Sequence, residues 1–289
     1  MAGSERVESG ERQTTIVIPT RDRLSALAAC LEAISRQTIA EELDVVVVDD
    51  GSRDEAGVTA IVQGFPGFRL ARIAPAGPAA ARNAGAVAAR GRLILFTDDD
   101  CRPAADWAER LTEALGAGAD AVAGLTLNGD PRNRVAEASQ VIANALVMPV
   151  RERSLDVLFA PSNNLGCRIE IVRSIPFDAS FATPGGEDRD WCAQLLRAGY
   201  SLRLESRAVV RHFQELRLAS FWRQQLRYGR GAARFRQRAG AGVPLEAPVF
   251  YAQLLRRAAR RGVRVGLLVA AAQLATAAGF ALETLRSTR

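Results

Sequence analysis

The chain has 289 residues, enough for one large α/β domain or two small ones with a real hydrophobic core. Its 48% hydrophobic and 24% charged residues are ordinary for a globular protein and exclude a disordered chain. The net charge of +6 is uneven, because residues 211–264 contain 13 Arg against two Glu while the remainder is acidic. We therefore expect the chemistry in the acidic part and a surface for an anionic partner in the basic part. All 38 basic residues are Arg, which indicates a base-composition bias, so Arg alone says little about phosphate binding.

The four cysteines are widely spaced and form no C-x-x-C pair. This spacing argues against a zinc site or a disulfide framework and favours a reducing cytoplasm. Residues 1–13 are polar, lack the apolar stretch of a signal peptide and are expected to form a flexible tail.

Apolar runs alternate with helical patterns between residues 14 and 125. Strands are predicted at 14–20, 43–50, 68–73, 92–97 and 119–125, with helices between them, one of which is expected to open at Pro103. This alternation predicts an α/β fold with a mostly parallel sheet flanked by helices. Ligands bind beyond the carboxyl ends of such strands, where Pro19-Thr20, Asp49-Asp50 and Asp98–Asp100 are expected to meet.

The pattern changes after residue 126. Residues 126–213 are mixed and include "FAPSNNLGCRIEIV", "GGEDRDW" and a predicted strand pair around "SLRLE" and "AVVRH". Residues 214–289 read as a helical, Arg-rich extension. We therefore divide the chain into a tail (1–13), a first half (14–125), a second half (126–213) and the extension.

Three consecutive carboxylates, Asp98, Asp99 and Asp100, follow the apolar run "LILFT". A hard cation such as Mg²⁺ or Mn²⁺ takes oxygen ligands and relieves the repulsion between clustered acids. The alternative is a solvated acidic turn that caps the next helix, which the second acidic strand end at Asp49-Asp50 disfavours.

Other polar side chains have both a functional and a structural interpretation. Asp50 could accept hydrogen bonds from a base or ribose. Alternatively, it could form an Asx turn in which Ser52 caps a helix. Arg82 could donate hydrogen bonds to a diphosphate, or it could be an ordinary surface Arg. Glu187 and Asp188 could supply a general base, or only complement a helix dipole. His212, the single histidine, is either structural or a neutral imidazole ligand to the same ion.

The ordered set "IVIPTRDR", "VVVVDDGS", "ARNAGAVAARG", "FTDDDCRP", "GGEDRDW" and "QQLRYGRG" resembles the family 2 inverting glycosyltransferases of GT-A fold, from residue 14 to about 231. The resemblance implies a metal-dependent enzyme that holds a nucleotide-diphospho-sugar in residues 14–125. Residues 126–213 would then bind the acceptor.

The resemblance also implies roles for individual residues. The nucleobase and ribose would be bound by Pro19, Arg21, Asp50 and Asp98, with Arg82 near the diphosphate and Asp99 at a variable position. Mn²⁺ or Mg²⁺ would be held by Asp100 and His212. The general base would be Asp188, with Glu187 as the alternative. The acceptor side would include Asn163, Asn164, Trp191, Gln224, Arg227 and Tyr228.

Residues 224–228 resemble the Q-x-x-R-W signature of processive synthases, with Tyr228 in place of Trp. This departure, together with the lack of several clear membrane spans, favours a single transfer over polymerisation. The implied mechanism is one in-line displacement without a covalent enzyme intermediate. The acceptor is left open as a glycan, a lipid-linked molecule or a small molecule, and no nucleic-acid partner is expected.

Three other classes of protein were weighed. A sugar-nucleotide pyrophosphorylase would share the sheet and the metal carboxylates, and a nicotinamide-dependent dehydrogenase would share the sheet. Both normally carry a Gly-rich loop after the first strand, where this chain has "PTRDRLSA". A catalytically dead nucleotide-sugar-binding module is the third, and the presence of every expected acid argues against it.

The C-terminal extension carries five Arg in residues 254–264 and no charge in residues 265–282. Eighteen uncharged residues approach the length of a membrane span, but their high Ala content favours a packed or interfacial helix over a span. The Arg cluster predicts binding to anionic lipid headgroups or to a lipid-diphosphate acceptor at the cytoplasmic face.

Overall fold

A mixed eight-stranded sheet forms the centre of the described chain. The computed structural model describes residues 13–147, 154–181, 185–239 and 247–287, so residues 1–12 of the predicted tail lie outside them. The strands are β1 (Thr14–Thr20), β2 (Leu43–Asp49), β3 (Phe68–Arg72), β4 (Leu93–Thr97), β5 (Cys101–Pro103), β6 (Ala121–Asn128), β7 (Asn164–Arg168) and β8 (Leu202–His212). Their order is β3-β2-β1-β4-β7-β6-β8-β5.

The first four strands in this order are parallel, as the alternating pattern predicted. β7 is antiparallel to both β4 and β6, so the second half of the chain completes the same sheet with a reversed strand. The carboxyl ends of β1, β2 and β4 therefore lie side by side, which brings their polar ends together.

Helices cover both faces of this sheet. They are α1 (Leu24–Ser35), α2 (Glu55–Gln63), α3 (Pro78–Ala88), α4 (Trp107–Gly116), α5 (Arg134–Leu146), α6 (Ile169–Ser174), α7 (Glu187–Arg197), α8 (Leu218–Ala239), α9 (Pro248–Arg260) and α10 (Val263–Ser287). Buried residues of α1, α2 and α4 form one core cluster with the sheet, and those of α3, α6 and α7 form another. Apolar burial on both faces explains why the strands read as continuous hydrophobic runs.

The structure corrects two local predictions. Pro103 ends strand β5 and does not open a helix, because α4 begins only at Trp107. The predicted strand pair around "SLRLE" and "AVVRH" is the single strand β8, which pairs with β6 on both sides of a bulge. A register shift opposite Gly124 and Leu125 interrupts this pairing and forms the bulge. The residues at the bulge are polar and exposed, so the sequence pattern resembles a turn between two strands.

The C-terminal helices pack on α5 and form a third apolar cluster. α8 and α10 approach each other closely at two glycines. A Cβ at Gly229 would lie 2.0 Å from the carbonyl oxygen of Thr276, and a Cβ at Gly279 would lie 2.1 Å from that of Leu226. α10 is thus docked through one face, although it is long and apolar enough to cross a membrane. Its opposite face exposes apolar side chains, including Leu267 and Leu274.

Candidate active site

A cleft of about 500 Å³ lies at the carboxyl edge of the sheet. Most of the residues predicted for the site line it together: Pro19, Arg21, Asp50, Arg82, Asp98, Asp99, Asn163, Glu187, Asp188, His212 and Tyr228. They come from strand ends, from the start of α3 and α7, and from α8. The topology therefore assembles groups that lie up to two hundred residues apart in the chain.

Arg82 connects the acids of the two halves of the chain. Its side chain is only 4% exposed, and Nη2 donates to Oδ1 of Asp98 at 2.8 Å. Nη1 lies 3.7 Å from Oε1 of Glu187 and 4.0 Å from Oδ1 of Asp188, while Nε and Nη1 are buried without a hydrogen bond. A buried guanidinium among three carboxylates compensates their charge. Arg82 is therefore a central cation of the site and not a surface Arg.

The carboxylate of Asp188 is held by one residue of the loop before β7. Ser162 donates through Oγ to Oδ1 of Asp188 at 2.8 Å and through its backbone N–H to Oδ2 at 3.2 Å. Burial raises the pKa of Asp188, although Arg82 and Ser162 partly oppose this effect. A held carboxylate with a raised pKa has the properties of a general base.

Glu187 precedes Asp188 at the first turn of α7. Its Oε2 accepts a hydrogen bond from the backbone N–H of Gly185 at 2.7 Å, and the side chain is buried. Burial and the adjacent charge of Asp188 raise the pKa of Glu187 to about 7. Two neighbouring acids that repel each other share their titration, so the pair holds a proton near neutral pH.

Asp99 is the most enclosed of the three consecutive acids. Thr20 donates to its Oδ2 and Arg23 to its Oδ1, both at 2.8 Å. Burial raises the pKa of Asp99 to about 7, despite the charge of Arg23. The same Nη1 of Arg23 also lies 2.8 Å from Oδ2 of Asp100, so one half-exposed Arg compensates two acids.

Asp100 and His212 form the candidate metal pair. Oδ1 of Asp100 lies 3.1 Å from Nε2 of His212. Burial would raise the pKa of Asp100, but the hydrogen bond and charge of His212 outweigh it and lower that pKa. Within the described ranges, the group of potential ligands found here is Asp100, Cys101 and His212, of which Cys101 is a core thiol whose pKa burial raises strongly. A carboxylate and an imidazole at the cleft edge fit a divalent cation that also binds phosphate oxygens.

The other ring nitrogen of His212 is held by two amides. Nδ1 lies 2.8 Å from Nε2 of Gln214 and 3.3 Å from Nδ2 of Asn163. Ser139 lies between Gln214 and Gln224, with its Oγ within 3.3 Å and 3.0 Å of their Oε1 atoms. This network fixes the imidazole ring so that Nε2 faces Asp100.

The two acids at the carboxyl end of β2, Asp49 and Asp50, have different environments. Oδ1 and Oδ2 of Asp50 accept hydrogen bonds from the backbone N–H groups of Ala76 and Gly77, and Arg21 lies 3.6 Å away. Asp49 is fully buried and binds Ser52 and Arg72. The N-cap of α2 is Asp54, not Ser52. Asp50 thus lines the cleft and also holds the loop before α3.

Two predicted acceptor residues lie in the core. Asn164 is fully buried, accepts from Nε1 of Trp107 at 2.8 Å and donates to the carbonyl of Ala208 at 3.1 Å. Asn163 belongs to the turn before β7 and lines the cleft, whereas Asn164 is the first residue of β7 and points into the core. Trp191 is fully buried as well, stacked on Phe177 at 5.2 Å. Both predictions of a substrate contact are therefore wrong, because both side chains stabilise the fold.

The helix α8 presents a different glutamine from the one predicted. Gln225 and Tyr228 line the cleft, whereas Gln224 lies in the network behind His212, and Arg227 is not part of the lining. Arg23 and Ser162 also belong to the site, although neither was predicted from the sequence. The second Arg of "PTRDR" and the Ser of "PSNN" were the available signals, but neither spacing shows which acid the side chain meets.

Comparisons with known proteins agree with this fold. The structure resembles that of the mannosyltransferase PcManGT from Pyrobaculum calidifontis, solved with GDP-Man and Mn²⁺, with a TM-score of 0.60 and 21% identity over 96% of this chain and 79% of that chain. At this identity the likeness shows the fold alone, which is the predicted GT-A type.

Two relatives match most of the chain in sequence. The pre-mycofactocin glycosyltransferase of Mycobacterium tuberculosis is 30% identical over 233 residues, which is 77% of this chain and 47% of that protein. Glycosyltransferase AglE of Haloferax volcanii is 29% identical over 230 residues, which is 75% of this chain and 72% of that protein. The chain thus spans about half the length of the first relative. The model of the family "Glycosyl transferase family 2" matches residues 15–174, and the chain belongs to this family.

Proposed function

We propose that the protein transfers a single sugar from a nucleotide-diphospho-sugar to a hydroxyl of an acceptor, with inversion at the anomeric carbon. One observation carries this proposal: Arg82 bonds Asp98 and lies within 4.0 Å of Asp188, beside the pair Asp100 and His212. A carboxylate held in place as a base, a second acid in the same cleft and a pair of possible cation ligands at the edge of that cleft suit glycosyl transfer. Membership of glycosyl transferase family 2 supports this proposal.

In this proposal residues 14–125 bind the donor. Pro19, Arg21 and Asp50 contact the base and ribose, and Asp98 contacts the ribose. Arg23 and Arg82 bring positive charge to the side of the cleft where the diphosphate lies. Arg23 is half exposed and is free to exchange its contact with Asp100 when other charges arrive.

Asp100 and His212 would hold the divalent cation, with diphosphate oxygens and water as further ligands. When bound, the cation supplies Lewis-acid stabilisation of the charge that grows on the departing nucleoside diphosphate. Mn²⁺ is favoured over Mg²⁺ because Mg²⁺ binds mainly carboxylates, phosphates and water, and one ligand here is an imidazole. The Mn²⁺ in the PcManGT complex supports this choice.

Asp188 acts as the general base. Its carboxylate takes the proton of the acceptor hydroxyl while that oxygen bonds to the anomeric carbon, and the bond from this carbon to the diphosphate oxygen breaks. Its raised pKa strengthens the base, and Ser162 holds the carboxylate in place. A single displacement from the face opposite the leaving group inverts the configuration. Glu187 is the alternative base.

The acceptor would lie against residues 126–213 and the helices of the extension. We further propose that the protein works at the cytoplasmic face of a membrane. The exposed Arg residues at the end of α9 and the exposed apolar face of α10 are adjacent in the chain and suit an anionic lipid surface. The close docking of α10 on α8 favours an interfacial helix over a span.

The test is release of nucleoside diphosphate from a panel of sugar nucleotides, beginning with GDP-mannose, with Mn²⁺ and with chelator as the control. Metal-dependent release, absent in Asp188→Asn, supports the proposal. Formation of a nucleoside triphosphate from pyrophosphate would instead identify a pyrophosphorylase. Tight binding of a sugar nucleotide without any turnover would identify a binding module.

A further inference from the structure

The cleft is divided into a charged end and an uncharged end. The charged side chains of its lining come from the strand ends, the start of α3 and the start of α7, around Arg82, Asp98 and Asp188. The other end is formed by α5, α8, α9 and α10, and every described residue that these four helices contribute to the lining is uncharged.

From this division we infer that the acceptor carries its reacting hydroxyl on an uncharged, apolar body, such as an alkyl or aryl group. This inference rests on the proposed glycosyl transfer and names its acceptor class. The apolar body would lie between α5 and α9, where the lining side chains are Ile142, Ala143, Leu146, Phe250, Tyr251 and Leu254. Pockets that bury apolar ligands are lined in this way, with a few polar groups that fix orientation.

The apolar wall begins directly beside the base. Phe159 and Pro161 line the cleft just before Ser162, which hydrogen-bonds Asp188. On the opposite side the ring of Tyr228 packs against Gly185, two residues before Glu187, with its Cδ1 3.2 Å from the position of a Cβ there. An acceptor hydroxyl placed at Asp188 would therefore lie next to apolar side chains on two sides.

Among the described residues, the absence of charge at this end is selective. Residues 211–264 contain 13 Arg, yet none of the Arg on α8 and α9 lines the cleft in the described part of the chain. Because an acceptor phosphate would need a cation to offset its desolvation, this end is unsuited to a phosphorylated acceptor. Arg256 and Arg257 are outside the lining, so the lipid-diphosphate acceptor predicted from the sequence stays a separate prediction that this end of the cleft does not support. Gln225, Gln273 and Thr276 offer neutral hydrogen-bonding groups instead.

The inference can be tested with four glucose derivatives that differ in one feature. They are octyl glucoside below its micelle concentration, phenyl glucoside, free glucose and glucose 6-phosphate. We expect binding to the Mn²⁺–nucleoside diphosphate complex, measured by calorimetry, to be at least about tenfold tighter for the first two than for the last two. Preference for octyl over phenyl indicates a lipid acceptor, and the reverse preference indicates an aromatic one. Equal or tighter binding of glucose or glucose 6-phosphate would overturn the inference.

A matched pair of variants on α9 locates the subsite. Tyr251 lines the cleft and is 38% exposed, whereas Leu255 is 40% exposed and is not in the lining. Tyr251→Ala should weaken binding of the two glucosides about tenfold, and Leu255→Ala should leave it unchanged, with nucleotide binding unchanged in both. Equal effects of the two variants would contradict the assignment. Because these measurements need no turnover, a protein that binds glucosides but releases no nucleoside diphosphate would refute the proposed reaction and not the subsite.

Discussion

Nη2 of Arg82 lies 2.8 Å from Oδ1 of Asp98, and both side chains reach this contact from different segments of the first half of the chain. The same guanidinium faces Glu187 and Asp188 of the second half, so one buried cation sets the charge balance of the whole site. The acids of the two halves of the chain are therefore electrostatically coupled.

Replacing Arg82 by Met should destabilise the protein and abolish transfer. Removing one partner of a buried ion pair leaves uncompensated charge, with a cost of about 3–5 kcal/mol in the free energy of unfolding. Denaturant unfolding measures this cost. Arg53→Met is the control, because Arg53 is 93% exposed and its loss should change stability by less than about 0.5 kcal/mol. A similar small change for Arg82→Met would contradict the central role of this cation.

Replacing Asp188 by Asn should lower kcat at least about 10²-fold and leave donor binding nearly unchanged. The amide keeps the shape of the side chain and can still accept from Ser162, but it cannot take a proton. Single-turnover kinetics and calorimetry with the nucleoside diphosphate separate the two effects. If Glu187→Gln causes the larger loss of kcat, then Glu187 is the base.

In the pH profile of kcat/KM, the loss of activity on the acidic side should have its midpoint near neutral pH. The base must be deprotonated to act, and burial raises the pKa values of both acids, that of Glu187 to about 7. Activity should therefore rise as the pH increases through this region. In Glu187→Gln the midpoint should move to lower pH, because the neighbouring negative charge is gone. A midpoint that stays in place would show that the two acids are not coupled.

Replacing Asp100 by Ala should abolish metal-dependent turnover with little loss of stability. The substitution removes a carboxylate from the turn between β4 and β5 and leaves the apolar core intact. Binding of Mn²⁺ in the presence of nucleoside diphosphate, followed by electron paramagnetic resonance, should weaken by at least about tenfold. Gln214→Leu should weaken it less, because the imidazole remains and only its orientation is released. Normal Mn²⁺ binding by Asp100→Ala would place the metal elsewhere.

Association with anionic vesicles should depend on salt and on the Arg cluster of α9 and the following turn. Each Arg near an anionic surface contributes about 1 kcal/mol, so removing several should lower the partition coefficient by at least about tenfold. The variant replaces by Ala the residues Arg256, Arg257, Arg260 and Arg261.

A second variant with the same change in charge is the control for this prediction. It replaces by Ala four exposed Arg of other regions: Arg36, Arg53, Arg90 and Arg132. Sedimentation with neutral and anionic vesicles at two salt concentrations compares the two variants. Equal, negligible binding of the unmodified protein to both vesicle types would exclude the membrane role.

The sequence by itself determined the parallel half of the sheet. The runs around Val45–Val48 and Leu93–Phe96 are apolar on both faces, and this pattern is local, so it predicts buried strands without any knowledge of their neighbours. The acids at the strand ends were identified for the same reason, because charge directly after a buried run has few structural roles. β7 and the bulged β8 were not predicted as they are, since their pairing partners lie far away in the chain.

Only the tertiary structure decided which polar residues face the cleft. Asn163 and Asn164 are identical in type and adjacent in sequence, yet one faces His212 from the turn before β7 and the other lies under Trp107 at the start of β7. The pairing of Arg82 with acids from both halves likewise depends on long-range packing. Periodicity and composition describe one segment at a time, whereas charge compensation and the uncharged end of the cleft arise from segments that meet only after folding.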